Sequence, residues 1–285
     1  MQLTVVLPAK NESAGLRKTL PRIRDVCPDA EVIVVDDGST DDTADVARVL
    51  GAKVISSPYS MGNGAAIKRG ARAASGEVIV FMDADGQHDP VSIPDLLQPL
   101  AEGYDMVVGA RDSSGQANVG RSLANGLYNR VATWMTGQSI RDLTSGFRAV
   151  RADRFREFLH LLPNGFSYPT TITMAFFRSA YAVTYRPIKV VARVGTASHI
   201  RPLRDGFRFL VIIFKIATLY SPMKIFLPMS LIFFGLGASY YSYTFVTDNR
   251  FTNMSLLLFS AAVIVFLIGL VSEQVSALVY GRGKN

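Results

Sequence analysis

Residues 77–89 read Glu77-Val78-Ile79-Val80-Phe81-Met82-Asp83-Ala84-Asp85-Gly86-Gln87-His88-Asp89, an apolar, β-branched run that breaks into acids and a glycine. The run is continuous rather than alternating, which is the pattern of a strand covered on both faces of a parallel sheet. Upstream, LTVVLPA (3–9), EVIVVDD (31–37) and AKVISS (52–57) have the same character, and DMVVGA (105–110) follows downstream. Helical patterns separate them. Leu16, Leu20 and Ile23 fall on one face, and Asp41 or Thr40 can cap DTADVARVL before Gly51 ends it. The alternation predicts a doubly wound α/β domain with a mostly parallel sheet.

Two of these strands end in acids, at Asp36 and Asp37 and at Asp83 and Asp85. Ligands of open parallel sheets bind outside the carboxyl ends of the strands, so both pairs are expected in one crevice. In extended chain Asp83 and Asp85 leave on the same side, and Gln87 continues the row with a neutral oxygen. Paired carboxylates repel unless a cation joins them. An oxygen-only set, in a chain whose single cysteine is Cys27, points to Mg²⁺ or Mn²⁺ with water and substrate phosphate completing the shell. For Asp41 and Asp42 a capping or turn role is the favoured reading.

The chain has 285 residues, of which 49% are hydrophobic and 19% charged, with mean hydropathy +0.23. Disorder is excluded, and so is an ordinary soluble composition. Neither Ile225–Thr247 nor Phe251–Ser272 contains a charged side chain; each exceeds the roughly 20 residues needed to span hydrocarbon. The net charge of +7 is concentrated between Arg178 and Lys224, where nine basic residues meet one acid, Asp205. Positive charge beside a membrane helix fits an anionic cytoplasmic leaflet, and no basic reading element for nucleic acid accompanies it. Residues 203–220 are apolar and studded with Arg204, Arg208 and Lys215 between Pro202 and Pro222. They read as an interfacial helix, with a core helix packed on the sheet as the alternative. Further helices are expected over 119–136 and 151–161, and a strand over 184–193.

The expected organisation is a cytosolic domain (1–200), a juxtamembrane amphipathic helix (201–222) and a two-helix transmembrane hairpin (223–280). The N-terminus reads as a first strand rather than a signal peptide. Arg282 and Lys284 place the C-terminus on the cytosolic side as well. One cysteine allows neither a disulfide framework nor a thiolate metal site.

Pro8-Ala9-Lys10-Asn11-Glu12, Val35-Asp36-Asp37-Gly38-Ser39-Thr40-Asp41, Asp83-Ala84-Asp85-Gly86-Gln87-His88, Gly109-Ala110-Arg111 and Asp142-Leu143-Thr144-Ser145-Gly146-Phe147-Arg148 resemble, in that order, the motifs of glycosyltransferase family 2. The set is most similar to the dolichyl-phosphate mannose synthase branch, and the resemblance covers roughly residues 3–200. It implies a GT-A-type fold. Pro8, Asn11 and Glu12 would line the nucleotide-sugar site, Asp36 and Asp37 would hold base and ribose, and Asp83, Ala84 and Asp85 would meet the donor. Asp83, Asp85 and Gln87 match the family's metal motif. Arg111, Arg121 and Ser122 resemble the acceptor-phosphate clamp, with Asp85, Arg111 and Arg121 as the catalytic set. Ser145 and Arg148 would face donor sugar or acceptor, and Arg193 and Ser198 match a segment beside the membrane.

This sequence departs from its relatives at His199 and Asn63, where many carry Lys. The glycines of Gly62-Asn63-Gly64 are still able to offer amides to a phosphate, or to form a plain turn. The QxxRW motif of processive synthases is absent around the single tryptophan, Trp134. The implied activity is inverting transfer of one sugar from a nucleotide sugar to a polyprenyl (dolichyl or undecaprenyl) phosphate at the cytoplasmic face, with GDP-mannose ahead of UDP-glucose. Rivals are a family member acting on another lipid or glycan, and a non-catalytic nucleotide-sugar-binding scaffold. Relatives with two-helix anchors can form homo-oligomers; nothing in the sequence sets a number.

Overall fold

The computed structural model describes residues 1–111, 119–165, 167–190, 214, 218 and 220–281, without the side chains of 119–125, 127, 128 and 281. Two compact units, Met1–Arg201 and Pro202–Asn285, are separable.

In the first unit β1 (Leu3–Ala9), β2 (Glu31–Asp36), β3 (Lys53–Ser56), β4 (Val78–Phe81), β5 (Met106–Arg111), β6 (Arg148–Arg151) and β7 (Val183–Ile188) form one sheet in the order β3-β2-β1-β4-β6-β5-β7. All pairings are parallel except those of β6, which runs antiparallel to both β4 and β5. Helices α1 (Ser13–Val26), α2 (Thr43–Val49), α3 (Asn63–Ala73), α4 (Ile93–Ala101), α5 (Val119–Thr136), α6 (Ala152–Glu157) and α7 (Tyr168–Arg178) connect the strands. All four residues of β4 are buried, as its unbroken apolar run requires. Val5, Leu7, Val34, Val80 and Val107 share a core with Leu16, Leu20 and Ile23, the stripe that α1 turns toward the sheet.

The register brings the carboxyl ends to one edge. Ala9 pairs with Asp36 and Val6 with Phe81. Across β6, both Phe81 and Val108 face Arg148, so β5 reaches beyond that edge to Arg111. Two elements were not anticipated, β6 and α7. The four residues of β6 begin and end in arginine, without the apolar run that marks the other strands. The expected helix over 151–161 closes early, at Glu157, and the strand expected over 184–193 is found as β7, which ends at Ile188; residues 191–193 lie outside the described residues.

The second unit holds two helices, Met223–Asp248 and Asn253–Gly281. Both are long and apolar enough to cross a membrane, with mean hydropathy 1.4 and 2.8 over their most apolar windows. Large apolar side chains such as Leu231, Phe234, Leu257 and Val271 stay exposed around them. Ser230 donates to the Ala262 carbonyl (2.8 Å), and the Met223 amide donates to Glu273 (3.4 Å), placing that acid at the positive end of the neighbouring helix. The interfacial helix expected over 201–222 lies almost wholly outside the described residues.

Candidate active site

The β1–α1 turn and the β2–α2 loop are laced together. Asn11, in a left-handed conformation (φ 54°), donates its amide to Ser39 Oγ (2.9 Å) and accepts from the Thr40 amide (2.8 Å). The Glu12 amide donates to Thr43 Oγ1 (2.9 Å). Asp36 accepts from the Ser39 amide (2.9 Å), an Asx-type turn. Asp37 takes three donors, the Met61 and Gly62 amides (2.7 and 2.9 Å) and the Ser60 hydroxyl (2.7 Å). These bonds fix the walls of a cleft of about 370 Å³. Of the sequence candidates, Pro8, Glu12, Asp37, Asp83, Ala84 and Asp85 line it. Asn11 and Asp36 do not; their side chains brace the loops behind it. Lys10, Ser60 and Asn63 also line the cleft. Their motifs are visible in the sequence, but no residue pattern distinguishes a wall from a turn.

The expected extended row from Asp83 to Gln87 is not found. β4 ends at Phe81, Gly86 takes φ 73°, and the Gln87 amide folds back onto Asp85 Oδ1 (3.1 Å). A turn this tight, permitted by glycine, breaks the alternation that would have aligned Gln87 with the two acids. Burial raises the Asp83 carboxyl above its ordinary range; His88 opposes that shift and the Asp85 charge reinforces it. His88 itself is buried and stacks on Phe147 (5.1 Å), with no hydrogen-bond partner for Nδ1. No hydrogen bond or ion pair among the described residues occupies the Asp83 carboxylate. Two crowded carboxylates at the floor of a cleft fit a hard divalent cation. Among the described residues no third His, Cys, Asp or Glu joins them. Most coordination positions would fall to water and substrate oxygens, as Mg²⁺ and related ions prefer.

On the far side of the sheet edge, Arg111 is already engaged. Its Nε and Nη2 form a two-pronged pair with Asp142 (2.8 and 3.0 Å), and Nη2 also donates to Thr144. Asp142 is held below the ordinary carboxylate range: burial works against this, and the Arg111 bonds outweigh it. The guanidinium is therefore oriented by protein through Nε and Nη2, and Asp142 offsets its charge. The Ser145 hydroxyl is buried without a partner.

Arg148 differs from the expectation that it faces substrate. It is completely buried at the start of β6, donating to the Ser145 and Pro169 carbonyls and to Thr173 Oγ1. A charged side chain reads as exposed in a sequence; its carbonyl partners come from loop and α7, which no local pattern announces. Arg121 and Ser122 lie on α5, but their side chains are outside the described residues, as are Arg193, Ser198 and His199.

The Gly62-Asn63-Gly64 turn offers no free phosphate nest. The Met61 and Gly62 amides go to Asp37, Gly64 donates to the Gly165 carbonyl (3.1 Å) and Ala65 to that of Asn164 (2.8 Å). The glycines instead let residues 163–165 pack against the start of α3: a side-chain carbon at Gly64 would stand 2.0 Å from the Pro163 oxygen.

Residues 4–159 match the family described as glycosyl transferase family 2, and residues 221–278 match the GtrB C-terminal hairpin. An undecaprenyl-phosphate mannosyltransferase of Micrococcus luteus is 33% identical over 68% of this chain and 85% of its own length. Glycosyltransferase AglJ of Haloferax volcanii is 27% identical over 96% of this chain and 93% of its own. Among solved structures, glucosyl-3-phosphoglycerate synthase of Mycobacterium tuberculosis, crystallised with Mn²⁺, UDP and phosphoglyceric acid, aligns with TM-score 0.61. It is 26% identical and covers 75% of this chain and 76% of that one. With a seven-stranded sheet whose carboxyl edge carries paired acids, and a family match over more than half its length, this chain belongs to glycosyltransferase family 2.

Proposed function

We propose that the protein transfers a single sugar from a nucleotide sugar to a polyprenyl phosphate at the cytoplasmic face of a membrane. GDP-mannose is the first donor to test and UDP-glucose the second. The observation that carries the reading is the presence, on one chain, of a cleft floored by Asp83 and Asp85 and a hairpin apolar enough to reach a lipid substrate. The name of the Micrococcus relative supports both the lipid phosphate and the mannose.

Asp83 and Asp85 would hold Mg²⁺ or Mn²⁺, and that ion would supply neutralisation of the charge on the departing nucleoside diphosphate. Glu12, Lys10 and Asn63 line the cleft where the donor would lie. A phosphomonoester, with its second pKa near ~6, is mostly dianionic at neutral pH. It needs no general base, and the demand shifts to cationic groups that orient it. Arg111, set by Asp142 and Thr144, presents its remaining N–H groups for that role, with Arg121 as the second cation. Direct attack on the anomeric carbon inverts its configuration.

The test incubates the detergent-purified chain with Mn²⁺, a short polyprenyl phosphate and labelled nucleotide sugars in turn. Label passing into organic solvent and released by mild acid from one donor supports the reading and names the sugar. Donor binding without lipid-linked product from any donor contradicts it.

A further inference from the structure

The loop before β6 lies on the Asp83 carboxylate at Gly146. A side-chain carbon built there would stand 2.8 Å from Asp83 Oδ2 and 3.2 Å from Oδ1, well inside van der Waals contact. Gly146 is not in the left-handed region, so its conformation does not call for glycine. What glycine supplies is room for the carboxylate.

The same loop is anchored from behind. The Tyr168 hydroxyl, at the start of α7, donates to the Gly146 carbonyl (3.2 Å), and Tyr168 is 2% exposed. Arg148 donates to the neighbouring Ser145 carbonyl and to the Pro169 carbonyl (3.0 Å), and its guanidinium lies over the Tyr168 ring at 5.6 Å. No carboxylate pairs with Arg148 among the described residues. A fully buried cation without an ion-pair partner is costly, and here it ties two backbone segments together beside the floor of the cleft.

We propose that Gly146, Tyr168 and Arg148 are positioning residues that form a clamp setting the direction of the Asp83 carboxylate. Because no hydrogen bond among the described residues holds that carboxylate, its direction is set by what packs against it, and one wall it meets is Gly146. The clamp sets how closely the loop backbone approaches those two oxygens, and so where they stand relative to Asp85 and a divalent cation. The inference rests on the reading of Asp83 and Asp85 as the cation-holding pair.

Mn²⁺ binding to the full chain in detergent, followed by the electron paramagnetic resonance of free Mn²⁺ in the presence of UDP or GDP, tests this without relying on turnover. Gly146→Ala keeps an allowed backbone but forces the carboxylate aside. Its Kd for Mn²⁺ should rise about tenfold or more, as when a partner of a metal ligand is lost, with the thermal midpoint unchanged. Tyr168→Phe retains the ring and removes one hydrogen bond, and should shift Kd the same way by less. If Gly146→Ala does not fold, Tyr168→Phe decides alone. Wild-type Mn²⁺ affinity in the folded variants, with Asp83→Asn abolishing binding, overturns the clamp and spares the cation site. Wild-type affinity in Asp83→Asn overturns the cation site and the clamp with it.

Discussion

At the residue scale, the Arg111–Asp142 pair joins the sheet edge to the loop before β6. Asp142→Asn keeps the shape and removes the charge that orients the guanidinium. Misplacing a positioning group by about 1 Å costs up to ~100-fold, so kcat/KM for the lipid phosphate should fall at least about tenfold. Donor affinity, measured by titration, should hold. Glu31 carries a different expectation. Burial alone would raise its carboxyl, but bonds from the Ser75 amide, Thr4 Oγ1, Ser75 Oγ and Lys53 bring it down to about 2. A depressed folded-state pKa stabilises the fold above the unfolded value near ~4.3 and loses that contribution as pH falls toward the folded one. Discounted for solvent screening of a partly exposed group, Glu31→Gln should cost on the order of 1 kcal/mol at pH 7. In acid unfolding, its deficit relative to wild type should shrink between about pH 4 and pH 2. A deficit independent of pH would contradict the charge-based account. Asp142 is visible in the sequence as part of a motif, but its pairing with Arg111 is not, and Glu31 does not stand out at all, because Arg111 and the partners of Glu31 are distant in the chain.

At the element scale, the strands of the first half were legible because buried parallel strands need continuous Val and Ile, and no other element of a soluble domain shows that in runs so short. β6 was not legible: its buried residues are Arg148, Ala149 and Val150, and a buried arginine beside two apolar residues is too little for a pattern. The site was legible where it consisted of strand ends, at Pro8, Asp37, Asp83 and Asp85. It was not legible where turns rotate side chains away, as at Gln87, or where one loop packs on another, as at Gly64. Gly64→Ala tests the last point. Its added carbon meets backbone oxygen rather than a movable side chain, so the start of α3 and residues 163–165 cannot both stay in place. A loss of about 1–3 kcal/mol is expected, measured by thermal or denaturant unfolding. An unchanged midpoint would mean that this contact is not part of the native packing.

At the scale of the whole molecule, one chain carries a cleft lined by Asp83 and Asp85 and two helices apolar enough to cross a membrane. On the proposed function, with the catalytic domain at the cytoplasmic face and the basic stretch beside it, the Asp248–Asn253 turn is expected to face away from the cytoplasm. In a Cys27→Ala background, a cysteine at Asn249 should react with an impermeant maleimide added to intact cells. One at Asn285 should react only after the membrane is opened. The reverse pattern would put the catalytic domain on the wrong side for a cytoplasmic nucleotide sugar.

The central claim is that the group attacking the sugar is a lipid phosphate. The most direct measurement gives the purified enzyme one labelled donor and Mn²⁺, with either a polyprenyl phosphate or the matching polyprenol, and follows label into the lipid. Transfer to the phosphate alone is expected, with none to the alcohol and none with Asp85→Ala. Equal transfer to the polyprenol, or transfer that continues without either lipid, would contradict it.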